Sequence, residues 1–464
     1  MNFKVDFSRR GLMGGAGALG LAGMLDALPA AAARKTPGGA RPNVLFILAD
    51  DMGYADLGCY GRRDYETPRL DALAADGVRL TQGYANSSVC SATRTALVTG
   101  RYQYRFRIGL EEPAMDDPRL GLPADTVTMP GLFKKLGYHT SLIGKWHVGA
   151  PPRFGPKKNG YSTFYGIYGP GSDYFEYERR GGNLALVDNG TPVDSHNYLT
   201  DMLASRAVTE IQSYASAGTP FFMSLHFTAP HWPWEGPNDH ARAEALQNIF
   251  DKSGGNIAVY AEMVRSLDAN VGRVLDALAG SGVADNTIVV FTSDNGGERF
   301  SDVWPFIGMK GELLEGGIRV PLIARWPGRI ARGGTSEQVM TSMDFLPTLL
   351  AATGYRDIPA LNLDGQNVLP ALLGAQPIDR RLFWRYKVRD QAAVRDGRWK
   401  YLKMDGKEYL FDLEADQRER AELQHEHPQK LAELRAYYEA WNKTMLPYPA
   451  DSYSYDLRDF VVDR

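Results

Sequence analysis

Cys90 and Arg94 stand one helical turn apart in the stretch Cys90-Ser91-Ala92-Thr93-Arg94-Thr95-Ala96-Leu97-Val98-Thr99-Gly100-Arg101. A sulfur nucleophile beside a guanidinium is a pairing that suits oxyanion chemistry. A polar lead, Asn86-Ser87-Ser88, precedes the cysteine, and Gly100 follows the apolar patch Ala96-Leu97-Val98. The pattern predicts a helix that starts at Cys90 and is closed by Gly100. Free N–H groups and the helix dipole favour negative charge at such an end, and Arg94 falls on the same face. Together these features suggest a site for a tetrahedral oxyanion. The alternative is a small buried cysteine with an ordinary surface arginine.

The remaining chemistry-bearing residues follow apolar runs. Residues 43–49 form a continuous apolar run, read as a strand buried on both faces, and Asp50-Asp51 follow it. The strand predicted at 139–143 ends in Gly144-Lys145-Trp146-His147, and the one at 221–228 ends in Ala229-Pro230-His231-Trp232-Pro233. The strand predicted at 287–292 ends in Ser293-Asp294-Asn295-Gly296, with Lys310-Gly311-Glu312 further on. Open α/β sheets gather their sites at the C-terminal strand ends, so these groups are expected to converge. Each alone also fits turn or cap chemistry.

Helices are predicted near 68–77, 129–136, 198–213, 257–278 and 343–352, and a strand at 78–84. Residues 150–200, rich in Gly, Pro and aromatics, read as an insertion near the site. The alternation predicts a large doubly wound α/β sheet flanked by helices over 41–377. From about 378 the pattern changes to short strands with Asp-Gly turns and a helix near 428–441. A smaller C-terminal subdomain of antiparallel sheet plus helix is expected over 378–464.

Three carboxylates and an amide oxygen (Asp50, Asp51, Asp294, Asn295) are hard ligands suited to Ca²⁺ or Mg²⁺. His residues joining the carboxylates in a zinc site is the other option. The residues 41–51, Cys90-x-x-x-Arg94 with Leu97-x-Thr99-Gly100-Arg101, Gly144-Lys145-Trp146-His147, Pro230-His231-x-Pro233 and Ser293-Asp294-Asn295-Gly296 resemble those of the type I, formylglycine-dependent sulfatases. The resemblance extends over essentially all of the chain after residue 40, including Glu315-Gly316-Gly317-Ile318-Arg319.

The resemblance implies the fold of the alkaline-phosphatase superfamily and hydrolysis of a sulfate ester to alcohol and inorganic sulfate. It implies that a transiently bound maturase converts Cys90 to Cα-formylglycine, whose hydrate is the nucleophile and passes through a sulfo-enzyme intermediate. Asp50, Asp51, Asp294 and Asn295, with an oxygen of modified Cys90, would hold one Ca²⁺, Mg²⁺ being less favoured. Arg94 would stabilise the hydrate, while Lys145, His147, His231 and Lys310 would surround the sulfate. His231 is assigned as general acid with Lys310 assisting, and His147 helps deprotonate the second hydroxyl. Ala92 stands where the family motif has proline, a form similar to that accepted by the radical-type maturase. A phosphoesterase or phosphonate monoesterase on the same scaffold is the alternative enzyme. A non-catalytic anion- or glycan-binding protein is the alternative if Cys90 stays unmodified. The expected substrate is a small sulfated saccharide, with an aryl sulfate as the other option. Tyr161, Tyr165, Tyr168, Tyr174, Phe175 and Tyr177 are candidate stacking partners for a ring, or simply packing of the insertion.

The 464 residues carry a net charge of −3 with dispersed Lys and Arg, which gives no sign of nucleic-acid binding. With only two cysteines, Cys59 and Cys90, there are too few for a thiolate zinc site, and no disulfide is expected, because the chemistry needs Cys90 unpaired. Residues 1–33 read as a twin-arginine signal. Arg9-Arg10 is followed by a weakly apolar Gly/Ala/Leu run and by small residues at 30–33. Export to a bacterial periplasm is expected. The run is short and interrupted by Asp26, so no stable membrane insertion is expected.

Overall fold

A computed structural model describes residues 41–115, 117–177, 181–252 and 254–456. The twin-arginine segment expected at 1–33 lies outside them. Among the described residues, ten strands form one mixed sheet. In sheet order they are Gly334–Ser336, Val78–Leu80, Leu322–Arg325, Thr287–Ser293, Asn43–Ala49, Phe221–His226, His139–Lys145, Thr163–Ile167, Val187–Asp188 and Thr191–Pro192. The five strands from Thr287–Ser293 to Thr163–Ile167 in that order are mutually parallel. Leu322–Arg325 runs antiparallel to Thr287–Ser293.

The central strand Asn43–Ala49 is buried along its whole length because helices cover both faces of the sheet. Leu45, Ile47 and Ala49 pack with Leu203, Val264 and Leu267 of helices Leu199–Ser216 and Ile257–Gly280. Val44, Phe46 and Leu48 face the other way, onto Leu97, Phe133 and Leu346 from helices Cys90–Thr99, Met129–Lys135 and Phe345–Ala352. This strict alternation is the period-two geometry of a strand between two apolar layers.

Two expectations are corrected. The stretch 78–84 is not one strand; it divides into Val78–Leu80 and Gly83–Tyr84, which belong to different sheets. Residues 150–200 are not only an insertion, since Thr163–Ile167 pairs in parallel with His139–Lys145 inside the main sheet. Close approach explains the glycine-rich sequence there: a Cβ on Gly144, at φ +108°, would lie 1.8 Å from the His226 carbonyl oxygen, and one on Gly166 would lie 1.8 Å from that of Gly144.

The C-terminal part contains a four-stranded antiparallel sheet, Arg381–Tyr386, Gln391–Asp396, Trp399–Met404 and Lys407–Asp412. Helix Pro428–Asn442 packs on one face through Leu431 and Leu434. The other face presents Leu382, Trp384 and Leu402 to Ala92 and Ala96 of the Cys90 helix. That helix is consequently buried at every position. The junction is held by Glu315 and Lys400, both fully buried. Lys400 Nζ lies 2.9 Å from Glu315 Oε1 and 2.8 Å from Glu419 Oε1. Glu315 also accepts hydrogen bonds from the Tyr84 hydroxyl and Arg319. Lys400→Met leaves the buried Glu419 carboxylate without a cation and Glu315 with Arg319 alone, and is expected to cost about 3–5 kcal/mol, read as a shift of the denaturant midpoint at unchanged m-value.

Candidate active site

Strand register brings the acids together. Ala49 pairs with Ser293, and both are followed by aspartate. Asp50 and Asp294 therefore emerge side by side from neighbouring parallel strands. Leu48 and Gly144 both pair with His226, so Lys145 leaves its strand near the same edge. The Lys145 Nζ lies 2.5 Å from Asp50 Oδ2. Arg94 reaches the same cluster from the helix, with Nε 2.9 Å from Asp294 Oδ2, Nη2 3.6 Å from Asp50 Oδ2, and Nη1 donating to the Lys145 carbonyl. Asp51 sits in the left-handed region at φ 63°. Its carboxylate accepts from Asn295 Nδ2 at 2.7 Å and pairs with Lys310 Nζ at 2.7 Å. Its backbone N–H donates to Asp294 Oδ1.

Helix Cys90–Thr99 begins at Cys90 as predicted, with extended Val89 before it and no side chain capping the end. Gly100 closes it at φ 64°. The preceding loop is held by Thr93, whose hydroxyl donates to the Ser87 carbonyl and accepts from the Ser87 N–H. The Lys310 loop docks on both neighbours: Lys310 N–H donates to Gly297 and Gly311 N–H to Ser88. Ligand atoms of Asp50, Asp51, Cys90 and His231 all lie within 4.8 Å of one another, and all four residues are buried. His231 Nε2 is 3.6 Å from Asp51 Oδ2, while its Nδ1–H donates to the Trp232 carbonyl. His147, at φ 58°, donates from Nε2–H to the Ala114 carbonyl at 2.8 Å, and its Nδ1 is buried without a partner. Cys59 and Cys90 are both free.

The electrostatics are those of a crowded acid cluster. Burial, then the Asp294 carboxylate, push Asp50 up to about 8. Burial also raises Asp51 against the pull of Lys310. Burial favours the neutral form of Asp294 too, but Arg94, Lys145 and Lys310 outweigh it and hold its pKa below the usual value. Burial, followed by the nearby lysines, keeps the imidazoles of His147 and His231 neutral well below their ordinary range. Asp50 Oδ1 and Asn295 Oδ1 are buried with no hydrogen-bond partner. Two orphaned oxygens beside three carboxylates fit a hard divalent cation, which would take up those lone pairs and offset the carboxylate repulsion.

A family model described as "Sulfatase" matches residues 42–355, more than half of the chain. The chain belongs to the sulfatase family. A second model, "N-sulphoglucosamine sulphohydrolase, C-terminal", matches residues 309–439. N-acetylgalactosamine-6-sulfatase of Canis lupus familiaris is 33% identical over 77% of this chain and 71% of its own length. Arylsulfatase A of Bos taurus is 35% identical over 77% of this chain and 74% of its own length. The crystal structure of Ps i-CgsB in complex with k-i-k-neocarrahexaose superposes with a TM-score of 0.81 at 29% identity, covering 91% of this chain and 96% of that one. The sulfatase is thus a sulfuric ester hydrolase with the superfamily's α/β fold. Sulfatases generally use formylglycine and a metal ion, and the buried acid–Cys90 cluster is compatible with both.

The sulfatase site contains groups that the motifs did not point to. Lys252 Nζ lies 3.9 Å from the centre of the Trp232 ring, and Lys310 Nζ lies 4.1 Å from it. Lys252 also pairs with Glu298 at 3.0 Å, beside the Tyr455 hydroxyl. His231 stacks on Trp232 with 3.8 Å between ring centroids. Trp232 was visible inside the Pro-His-x-Pro motif, but Lys252 and Tyr455 lie in loops without a pattern. The aromatic stretch is packing for the most part: Tyr161, Tyr165, Tyr174, Phe175 and Tyr177 are buried in the core. Tyr168, by contrast, is half-buried and lines a small cavity with His147.

Proposed function

We propose that this sulfatase removes sulfate from a sulfated carbohydrate, with residue 90 as the nucleophilic centre. The observation that carries the reading is the Cys90 Sγ at an uncapped helix end, within 4.8 Å of ligand atoms of Asp50, Asp51 and His231. Oxidised to the aldehyde, residue 90 would offer a hydrate hydroxyl as nucleophile, and one Ca²⁺ held by Asp50, Asp51, Asp294 and Asn295 would polarise the sulfuryl oxygens, Mg²⁺ being less favoured. Arg94 is fixed by its bonds to Asp294 and the Lys145 carbonyl, and it orients residue 90 from the same helix face. Lys145 and Lys310 add positive charge where negative charge spreads in the transition state. His147 spends Nε2–H on Ala114, so its Nδ1 lone pair is the natural proton acceptor for the residue 90 hydroxyl. His231 Nε2 faces the site beside Asp51, and the anionic sulfate arriving there favours the imidazolium that protonates the leaving alcohol, with Lys310 assisting.

Three carboxylates already face three fixed cations, Arg94, Lys145 and Lys310. The set is neutral before any metal binds, so one dication is offset only with the anionic ester in place and a second would add uncompensated positive charge, which favours sulfate-ester over two-metal phosphoester chemistry. The carbohydrate assignment draws on the N-acetylgalactosamine-6-sulfatase relatives and on the oligosaccharide in the Ps i-CgsB structure. An aryl sulfate is the second option, in view of arylsulfatase A. We also take residues 41–377 as the catalytic unit and 378–464 as the C-terminal subdomain. Residues 1–33 we take as a twin-arginine export signal, and Cys90-Ser91-Ala92-Thr93-Arg94 as the maturase target. No helix among the described residues is long and apolar enough to cross a membrane.

Sulfate release from a panel of sulfated saccharides, beside 4-nitrocatechol sulfate and an aryl phosphate, tests the assignment. At least one saccharide is expected to be turned over and the phosphate hardly at all. No release from any saccharide would sink the carbohydrate reading. His231→Asn is expected to slow saccharide sulfates by roughly 10²–10⁴-fold, the worth of a general acid. Aryl sulfates, whose leaving group needs little protonation, should be slowed far less. Equal losses on both substrate types would remove His231 from that role.

A further inference from the structure

A cleft of about 790 Å³ lies between the C-terminal sheet and the edge of the main sheet. Among the described residues, none of the Cys90-site groups lines it. Four arginines do: Arg319, Arg380, Arg395 and Arg398. Three of them are committed to the protein's own acids, Arg319 to Glu315, Arg380 to Asp344 and Arg398 to Asp412. Arg395 is different. It is 6% exposed, on strand Gln391–Asp396, and forms no ion pair with any described residue. Its Nη2 donates to Gln82 Oε1, while Nε and Nη1 are buried without an acceptor.

A buried guanidinium with two unused N–H groups is costly unless an acceptor arrives. No described residue supplies one. Glu337, Asp379 and Glu414 also line the cleft but make no ion pair with Arg395. Glu315 is already engaged by Lys400, Arg319 and Tyr84. Arg395 and Arg319 both sit against the Tyr84 ring, at 5.1 and 5.5 Å from its centre, so two fixed guanidinia share one aromatic support. Arg380 adds a further buried N–H without an acceptor at Nε.

We propose that this cleft is an anion-binding exosite that seats a sulfate group on a distal unit of a sulfated saccharide, with Arg395 as its principal donor. Its volume lies in the upper part of the roughly 300–1,000 Å³ of small-ligand pockets, which suits a sugar unit with its sulfate rather than a lone ion. The choice of a saccharide over free sulfate rests on the carbohydrate reading above.

The test uses fluorescein-labelled k-i-k-neocarrahexaose, the saccharide named in the Ps i-CgsB structure, as the hexasaccharide probe, and the full chain carrying Cys90→Ala, so that turnover does not consume the probe. Binding at the catalytic centre is common to all samples, and differences read the cleft. Adding Arg395→Gln is expected to raise Kd about tenfold or more, the loss of a charge-assisted hydrogen bond. Arg398→Ala, at the half-exposed rim where folding is not at stake, should raise it severalfold. The desulfated hexasaccharide should bind neither protein in the cleft, and equimolar sodium sulfate should not displace the probe. Unchanged Kd in both variants, or sodium sulfate binding as tightly as the hexasaccharide, would overturn the proposal. Hydrolysis of 4-nitrocatechol sulfate by the unaltered enzyme reads the catalytic assignment independently, because that small ester does not require the cleft.

Discussion

Cys90→Ala is expected to lower sulfate-ester kcat by on the order of 10⁵-fold or more, the scale on which loss of a covalent nucleophile is felt. The side chain is fully buried but small, and it packs at the start of a helix that Thr93 and Gly100 hold independently. The stability cost should therefore be only about 1 kcal/mol, and a thermal melt close to that of the parent separates lost chemistry from lost folding. Cys90→Ser sharpens the expectation. It keeps one hydroxyl but has no second oxygen through which sulfate can be expelled, so it should turn over once at most. Stoichiometric sulfate transfer to the serine without steady-state release is the predicted signature; multiple turnovers would speak against a hydrate.

The second large effect is expected at Asp294. This residue is the junction of the site: Arg94 binds its Oδ2, the Asp51 N–H binds its Oδ1, and Asp50 stands beside it on the paired strand. Asp294→Ala leaves Arg94 buried beside one remaining, more distant carboxylate, Asp50 at 3.6 Å. Stability should fall by about 3–5 kcal/mol. Activity should fall on the order of 10³-fold, as when a preorganised charge-stabilising group is lost. Asp294→Asn keeps the shape and most of the stability but removes the charge. It should lose bound metal, measured by elemental analysis of the purified protein, together with activity. Full metal content in Asp294→Asn would take Asp294 out of the ligand set.

The parts of the fold that could be read in advance are those where burial on two faces forces an uninterrupted apolar run. Residues 43–49 and 287–292 announce central strands in this way, and the polar groups after them had to gather at one edge. Register was not readable. That Ala49 pairs with Ser293, setting Asp50 against Asp294, depends on tertiary packing that no local pattern encodes. The strand Thr163–Ile167 escaped notice because Gly166 and the surrounding Tyr and Gly mimic loop composition, while the glycine is there for the close approach of Gly144. The Glu315-Gly316-Gly317-Ile318-Arg319 segment was recognisable as a pattern, yet its physical reason appears only with Lys400, 85 residues away and buried against it. Lys252 reaches the Trp232 face, and Tyr455 reaches Lys252, from loops whose composition carries no signal, because a single long side chain needs no periodicity to arrive at a site.

The central claim is that residue 90 acts as an oxidised side chain gripped by strand-end acids. Peptide mass spectrometry of catalytically active enzyme, digested around residues 86–101, addresses it directly. The expected result is a peptide in which the Cys90 sulfur has been replaced by an aldehyde oxygen, in a fraction that rises and falls with specific activity across preparations. An intact thiol at Cys90 in enzyme that cleaves sulfate esters at full rate would contradict the account.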